Sequence, residues 1–362
     1  MMKVFHRFST QHDDLIHDVS YDFYGKRLAT CSSDQKIKIW DLSPDTGKWT
    51  MSAEWKSHSG SVWKVAWAHP EYGQVIASCS FDRTVCIWEE GEDEHQTKRW
   101  QLKATLVDSR DSVTDIKFAP KAFGLRLATC SSDGYIRIYE ALDIMNLSQW
   151  PLLEEFESQK GASNCISWNP NSFDKQMIAL GSNDQFIKIW EYNEANRKWV
   201  LMDTMYSTMA PAQATTGGTS TSLANSFSIG GAGGPLAPSS LVSTSSSSSS
   251  ALSDPSDTNR SIHDICWAPN MGRTYHLIAT ASKDHNVRIW KLTNNDKLRL
   301  DLKEVLCNPF HRSEVWRVEW NITGTILASS GDDGNVALWK CNMNGEWKHM
   351  SSISGEEDVD EK

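Results

Sequence analysis

No stretch of this 362-residue chain holds the roughly 18 uninterrupted apolar residues that a membrane span requires. Its start, Met1 to Asp14, lacks the apolar run of a secretory signal, so the expectation is a soluble intracellular protein. Basic charge is scarce as well, with 36 Lys and Arg against 46 Asp and Glu and a formal charge of −10. That balance, which ends in an acidic tail over 356–362, argues against direct binding of nucleic acid, because such binding draws its affinity from cations clustered on phosphate. Signatures of catalysis are also missing. The P-loop, the HExxH zinc signature and the GxSxG elbow do not occur, and the segment GGAGGP lies in low-complexity sequence rather than between a strand and a helix. The 11 histidines are scattered and no cysteine pair has zinc-finger spacing. The chain therefore reads as a non-enzyme with no catalytic residue, no cofactor-binding residue and no metal ligand.

Eight cysteines without a secretory signal are expected to stay reduced and to serve as small buried hydrophobes. Cys31, Cys79 and Cys130 sit in ATCSSD, ASCSFD and ATCSSD, while the matching segments ALGSND, ATASKD and ASSGDD carry Gly181, Ala281 and Ser330. A position that takes Cys, Gly, Ala or Ser asks for smallness rather than sulfur.

Those matching segments belong to a repeat. Six runs align: RLATCSSDQKIKIW, VIASCSFDRTVCIW, RLATCSSDGYIRIY, MIALGSNDQFIKIW, LIATASKDHNVRIW and ILASSGDDGNVALW. In each an aspartate (Asp34, Asp82, Asp133, Asp184, Asp284, Asp333) lies six residues before an aromatic (Trp40, Trp88, Tyr139, Trp190, Trp290, Trp339). The aspartates are 48, 51, 51, 100 and 49 residues apart, so the long interval is one period plus an insertion of about fifty residues. Alternation within a run puts Ile37, Ile39 and Asp41 on one face and Lys36, Lys38 and Trp40 on the other. Each unit reads as four short strands. The first ends in an aromatic such as Trp67 or Trp168, the second is the small-residue run, the Asp turn leads to the third, and the fourth often opens on a tryptophan such as Trp49 or Trp199. Of the 17 tryptophans, 14 occupy repeat-equivalent sites, as expected of space-fillers between stacked blades. Trp63 in SVWKVAW and Trp316 in EVWRVEW are equivalent to each other at the start of a first strand; exposed aromatics there would be partner anchors.

The units resemble WD repeats, although the dipeptide itself survives only as Trp40-Asp41. The resemblance implies an all-β propeller of four-stranded blades around a channel. It also implies structural tetrads that join the turn aspartate to a third-strand Trp, a second-strand Ser or Thr and a histidine ahead of the first strand. His58, Asp82 and Trp88 fit that pattern, with His12 and His311 as counterparts, whereas units three to five lack the histidine and need another support.

Blades one to four are expected over 11–206 and blades five and six over 258–355. Between them, 207–257 is rich in Ser, Thr, Gly, Ala and Pro and is expected to be disordered, because it cannot bury enough apolar surface to offset its ordering entropy. The sixth unit already contains its own fourth strand near Glu346 to Ile353, yet KVFHRFS (Lys3 to Ser9) also reads as a strand. Within 1–10 it holds the chain position of a fourth strand for a blade never built. The expected fold is thus an open six-bladed propeller whose orphan N-terminal strand awaits a seventh blade donated in trans, with Val4, Phe5 and Phe8 beside that vacancy.

Longer segments narrow the resemblance. DLIHDVSYDFYGKRLATCSSDQ, HSGSVWKVAWAHPEYGQVIASCSFDRT, LVDSRDSVTDIKFAPK, YEALDIMNLSQW and WNITGTILASSGDDG resemble the SEH (Sec-thirteen homologue) family of WD-repeat nucleoporins. The first two would equally suit the related propeller of the COPII coat; LVDSR and MNLSQW favour the nucleoporin. This resemblance implies a scaffold in the Y-shaped outer-ring complex of the nuclear pore at the nuclear envelope. Its partners would be an α-solenoid nucleoporin that donates the blade and other Y-complex nucleoporins. The family further implies membership of GATOR, which relays amino-acid supply to TOR, with the lysosomal surface and the kinetochore as further stations. A COPII-coat-type scaffold and a WD-repeat peptide-reading adaptor stay open as alternatives.

Overall fold

The computed structural model describes residues 7–92, 98–158, 161–171, 174–206, 261–295, 299–308 and 310–355. Among them, 24 strands form six antiparallel sheets of four, each ordered first to fourth as in the sequence. The blades, numbered one to six, all fall in the unit formed by Met1–Ser207 and Thr258–Lys362. Their first strands are Ile16–Tyr21, Val62–Trp67, Val113–Phe118, Ser163–Trp168, Ile262–Trp267 and Val315–Trp320. Blade six has its own fourth strand, Trp347–Ser354. Among the described residues, no helix is long and apolar enough to cross a membrane.

Burial does not follow the alternation of the sequence in the third strand of blade one, because blade two covers Ile37 and Ile39 while Phe8 and Gln11 of the N-terminal segment lie against Trp40 and Lys38. Ile37, Lys38, Ile39 and Trp40 are all buried. The Lys38 ammonium is accommodated by donating to the Gln11 carbonyl at 2.5 Å and lying 3.7 Å from Glu54. The small-residue run is small for a local reason. Each of its positions Cys31, Cys79, Cys130, Gly181 and Ala281 pairs with the third residue of its own first strand (Asp18, Lys64, Asp115, Cys165, Asp264). In blade four a Cβ on Gly181 would lie 2.7 Å from both Cys165 Sγ and Ile262 Cγ2, so glycine is forced there. Among the described residues, seven cysteines, Cys31, Cys79, Cys130 and Cys165 among them, carry free thiols; burial raises the thiol pKa of these four and leaves them inert.

Every Asp turn is built alike. The aspartate accepts the backbone N–H two residues on, at 3.0 Å for Asp34 to Lys36, Asp82 to Thr84 and Asp133 to Tyr135, and at 3.1–3.3 Å in blades four to six. The residue between them is left-handed. Gly134 and Gly334 take that conformation freely, but Gln35, Arg83, Gln185 and His285 hold φ between 67° and 70°, at a cost of ~1 kcal/mol each for a residue with a Cβ. Arg83 is exposed, so Arg83→Gly should raise the thermal midpoint by about 2 °C. Asp82→Ala, which strips the turn of its acceptor, should lower it. Calorimetry on the two variants checks both signs.

Candidate functional site

The packing of blade on blade defines the first candidate surface. The fourth residue of each first strand is Val19, Val65, Ile116, Ile166, Ile265 and Val318; the last five are 0–3% exposed, whereas Val19 is 51% exposed. Ile16 and Tyr21 on the same strand are also exposed, while their equivalents in the other blades are buried or half-buried. The opposite face of blade six shows the same departure. Val336 is 38% exposed where Ile37, Val85, Ile136, Ile187 and Val287 are at most 2% exposed. Ala328 and Leu338 are half-buried where their counterparts are buried. Blade one and blade six thus each leave one apolar face uncovered, and the ring is open between them.

The N-terminal segment crosses this gap. Arg7 donates to the Gly355 carbonyl at the end of blade six, at 2.7 Å, and the Phe8 ring lies 5.0 Å from Trp40 and stacks on Trp49 of blade one at 6.3 Å. Within the ring such a place belongs to the last aromatic of the preceding blade's fourth strand. Trp55 of blade one meets Trp88 and stacks on Trp100 of blade two, and Phe156 of blade three meets Trp190 and stacks on Trp199 of blade four. Phe8 therefore stands where the fourth strand of a blade ahead of blade one would put an aromatic. It packs inward, onto blade one. Residues 7–9 join no ladder, since pairing needs a neighbouring strand. Val4 and Phe5 lie outside the described residues, as do 207–257 and 356–362.

The structural tetrads are as follows. His12 lies 2.7 Å from Asp34 and 2.9 Å from Thr30, to which Trp40 donates its indole N–H at 3.2 Å. His58 lies 3.1 Å from Asp82 and 2.8 Å from Ser78, which also accepts from Trp88 at 3.0 Å. His311 lies 3.1 Å from Asp333 and 2.8 Å from Ser329, with Trp339 donating at 2.9 Å. Where no histidine is available, arginine does the work from the third strand. Arg137 pairs with Asp133 at 2.9 Å, and Arg288 donates to Asp284 at 3.0 Å. The signal for this was in the sequence, two residues before Tyr139 and Trp290. In blade four Asp184 accepts from Ser182 and from the Phe186 N–H. There Leu180 replaces the second-strand hydroxyl, so the buried Trp190 indole N–H has no partner among the described residues.

The channel mouth is a second surface. In all six blades the ladder between first and second strands slips between the first and third residue of the first strand, a bulge that frees the second residue from its pairing. His17, Trp63, Thr114, Asn164, His263 and Trp316 occupy that position, one per blade, and all six line a cavity of about 700 Å³. Trp63 is half-buried beside His17, ring centroids 4.5 Å apart, and Trp316 stacks on His263 at 4.2 Å. Deeper in, burial disfavours the Lys64 ammonium, but Asp115 at 3.8 Å, Asp264 at 3.7 Å and Asp18 outweigh it and hold its pKa well above the ordinary value. Burial pushes the Asp264 carboxyl up to about 6, against the pull of Lys64 and Lys117. Among the described residues, no group of His, Cys, Asp and Glu could hold a metal ion.

The domain model described as "WD domain, G-beta repeat" matches residues 3–41, 49–89, 100–140, 251–291 and 303–340. Over 96% of its length the chain is 45% identical to nucleoporin SEH1-A of Xenopus laevis, covering 88% of that protein. The same identity and coverage of this chain hold for human nucleoporin SEH1, of which 87% is covered. Nucleoporin SEH1 of Danio rerio is 44% identical, with 86% covered. The chain belongs to the SEH family of WD-repeat nucleoporins. A scaffold role at the nuclear pore follows for this family member.

The His58–Asp82 pair sets a pH dependence. Burial opposes the imidazolium, but hydrogen bonds to Asp82 and to the Cys86 sulfur outweigh it and push the His58 pKa up to about 9; burial likewise opposes the Asp82 carboxylate, which His58 and Thr84 hold well below its ordinary range. A histidine raised from about 6.5 contributes stability that is complete below pH ~6.5 and is lost as pH rises through its folded value. Relative to His58→Gln, the chain should be roughly 2–3 kcal/mol more stable at pH 6. Denaturant titrations across pH 6 to 10 should show that margin shrinking steadily above about pH 6.5 and essentially gone beyond about pH 9.

Proposed function

We propose that this chain is a non-enzymatic scaffold of the Y-shaped outer-ring complex of the nuclear pore, and that an α-solenoid nucleoporin completes its ring by donating a blade between blade six and blade one. The observation that carries this reading is the exposure of Val19 and Val336 at positions buried in every other blade. An inserted blade would cover both faces at once, and each apolar side chain so buried contributes about 1.5–3 kcal/mol, enough in sum to offset the cost of association. In this reading residues 1–10 supply the outer strand of the completed blade, 207–257 is a tolerated insertion and 356–362 is an acidic tail. Phe8 holds the N-terminal segment against blade one, so Val4 and Phe5 are the N-terminal residues left to meet the incoming blade. Nucleocytoplasmic transport would be supported through the assembled pore. Other Y-complex nucleoporins and GATOR subunits are proposed as partners on the family resemblance, with the lysosomal surface and the kinetochore as further locations.

The experiment targets the two uncovered faces. Val19→Glu and Val336→Glu change side chains that are exposed in the chain alone, so both variants should melt as cooperatively as the parent. Each should weaken co-purification with the solenoid nucleoporin by about ten-fold or more. Undiminished capture by both variants would show that the partner docks elsewhere.

A further inference from the structure

The channel mouth lies on the propeller axis and is not used by blade completion. We infer that it binds a basic side chain, arginine or lysine, on an extended peptide segment of a protein partner, with Trp316 and Asp332 as its receptor. The cations around the mouth are already committed. Arg317 donates to the His17 carbonyl at 2.6 Å and lies 3.3 Å from Asp18, Lys64 sits between Asp115 and Asp264, and Lys283 lies 3.5 Å from Glu314. Asp332 differs. Its Oδ1 accepts the Trp316 indole N–H at 2.6 Å, and no cationic side chain pairs with it among the described residues. The indole is thereby fixed with one face on His263 and is still 44% exposed.

A π face held beside an unpaired carboxylate favours a cation, which gains from ring and charge together. His263 does not compete for that place, because burial lowers its pKa and keeps it neutral. Blade two repeats the arrangement without the acid. Trp63 packs on His17, and the residue ahead of the turn aspartate, Asp332 in blade six, is the exposed Phe81. The mouth thus has an acidic aromatic side at Trp316 and Asp332 and an apolar side at Trp63, Leu15 and Ile16, suited to a basic residue with an apolar neighbour. Its volume of about 700 Å³ is in the range of sites that hold a few residues of peptide. The chain's net charge of −10 draws a basic segment toward it.

The probe is a fluorescein-labelled seven-residue peptide with a central arginine flanked by leucines, titrated with the full chain and read by anisotropy. Two control peptides replace the arginine with citrulline, which keeps the shape without the charge, or with glutamate. The arginine peptide should bind at least about ten-fold more tightly than either control, and Trp316→Ala and Asp332→Asn should each weaken it about ten-fold. Asp332→Asn keeps an acceptor for the indole and so tests the charge without releasing the ring. Val336→Glu should leave peptide binding unchanged, which separates this site from the blade gap. Equal affinity for the three peptides, equal affinity of both variants and the parent, or no binding of the arginine peptide at millimolar concentration would overturn the inference.

Discussion

Each blade has two faces, and neither can be left in water without loss; the rest of this structure follows from that constraint. A four-stranded sheet with apolar residues on both sides is stable only between neighbours. Interior blades meet the condition, as shown by the near-zero exposure of Val65, Ile116, Ile166 and Ile265. Six blades in one chain then leave two faces over. The chain does not hide them by closing the ring, and Val19 and Val336 stand exposed on either side of the opening.

The junctions are not uniform, and their alternation divides the ring into pairs. Asp18 of blade one accepts the Val65 N–H of blade two, Asp115 of blade three that of Ile166, and Asp264 of blade five that of Val318. The same three junctions carry an indole staple, with Trp67 donating to the Ser20 carbonyl, Trp168 to that of Lys117 and Trp320 to that of Cys266, each at 3.0 Å. Between pairs the chemistry changes. Lys64 occupies the aspartate's position in blade two and neutralises Asp115 and Asp264, while Ser167 accepts the Trp267 N–H from blade five. Blade six carries Arg317 at this position and has no following blade, so the guanidinium reaches back to Asp18 and the His17 carbonyl. One buried lysine thus balances two carboxylates that would otherwise repel each other at the centre of the ring.

What was legible in the sequence is what recurs at fixed spacing. The Asp turns, the aromatics of the third strand and the small-residue run all return once per unit, because every blade solves the same packing problem. Substitutions within the tetrads were harder to read. Arg137 and Arg288 replace a histidine supplied from a different segment, so the equivalence is spatial and not positional. The bulge that frees Trp63 and Trp316 is a slip in register, invisible to a pattern with period two. Alternation put Lys38 on the face opposite Ile37 and Ile39, but its burial against Gln11 and Glu54 depends on where the N-terminal segment runs, which a pattern with period two does not carry. Phe8 was placed beside the vacancy, but its inward packing on Trp40 and Trp49 depends on geometry that only the folded blade one provides.

The open edge also bears on how firmly the free chain is held together. Ile16, Val19, Tyr21 and Val336 are each 38–58% exposed, so together they forgo several kcal/mol of burial on the scale of about 25 cal/mol per Å². That is comparable with the whole net stability of many domains, about 5–15 kcal/mol. Arg7 on Gly355 and Phe8 on blade one tie the two sides of the gap together at one end, and Arg317 on Asp18 does so at the channel. These ties keep the two faces near each other without covering them. A partner that fills the space therefore meets a prearranged slot and need not order a loose one, and its binding and the chain's stability become one linked quantity.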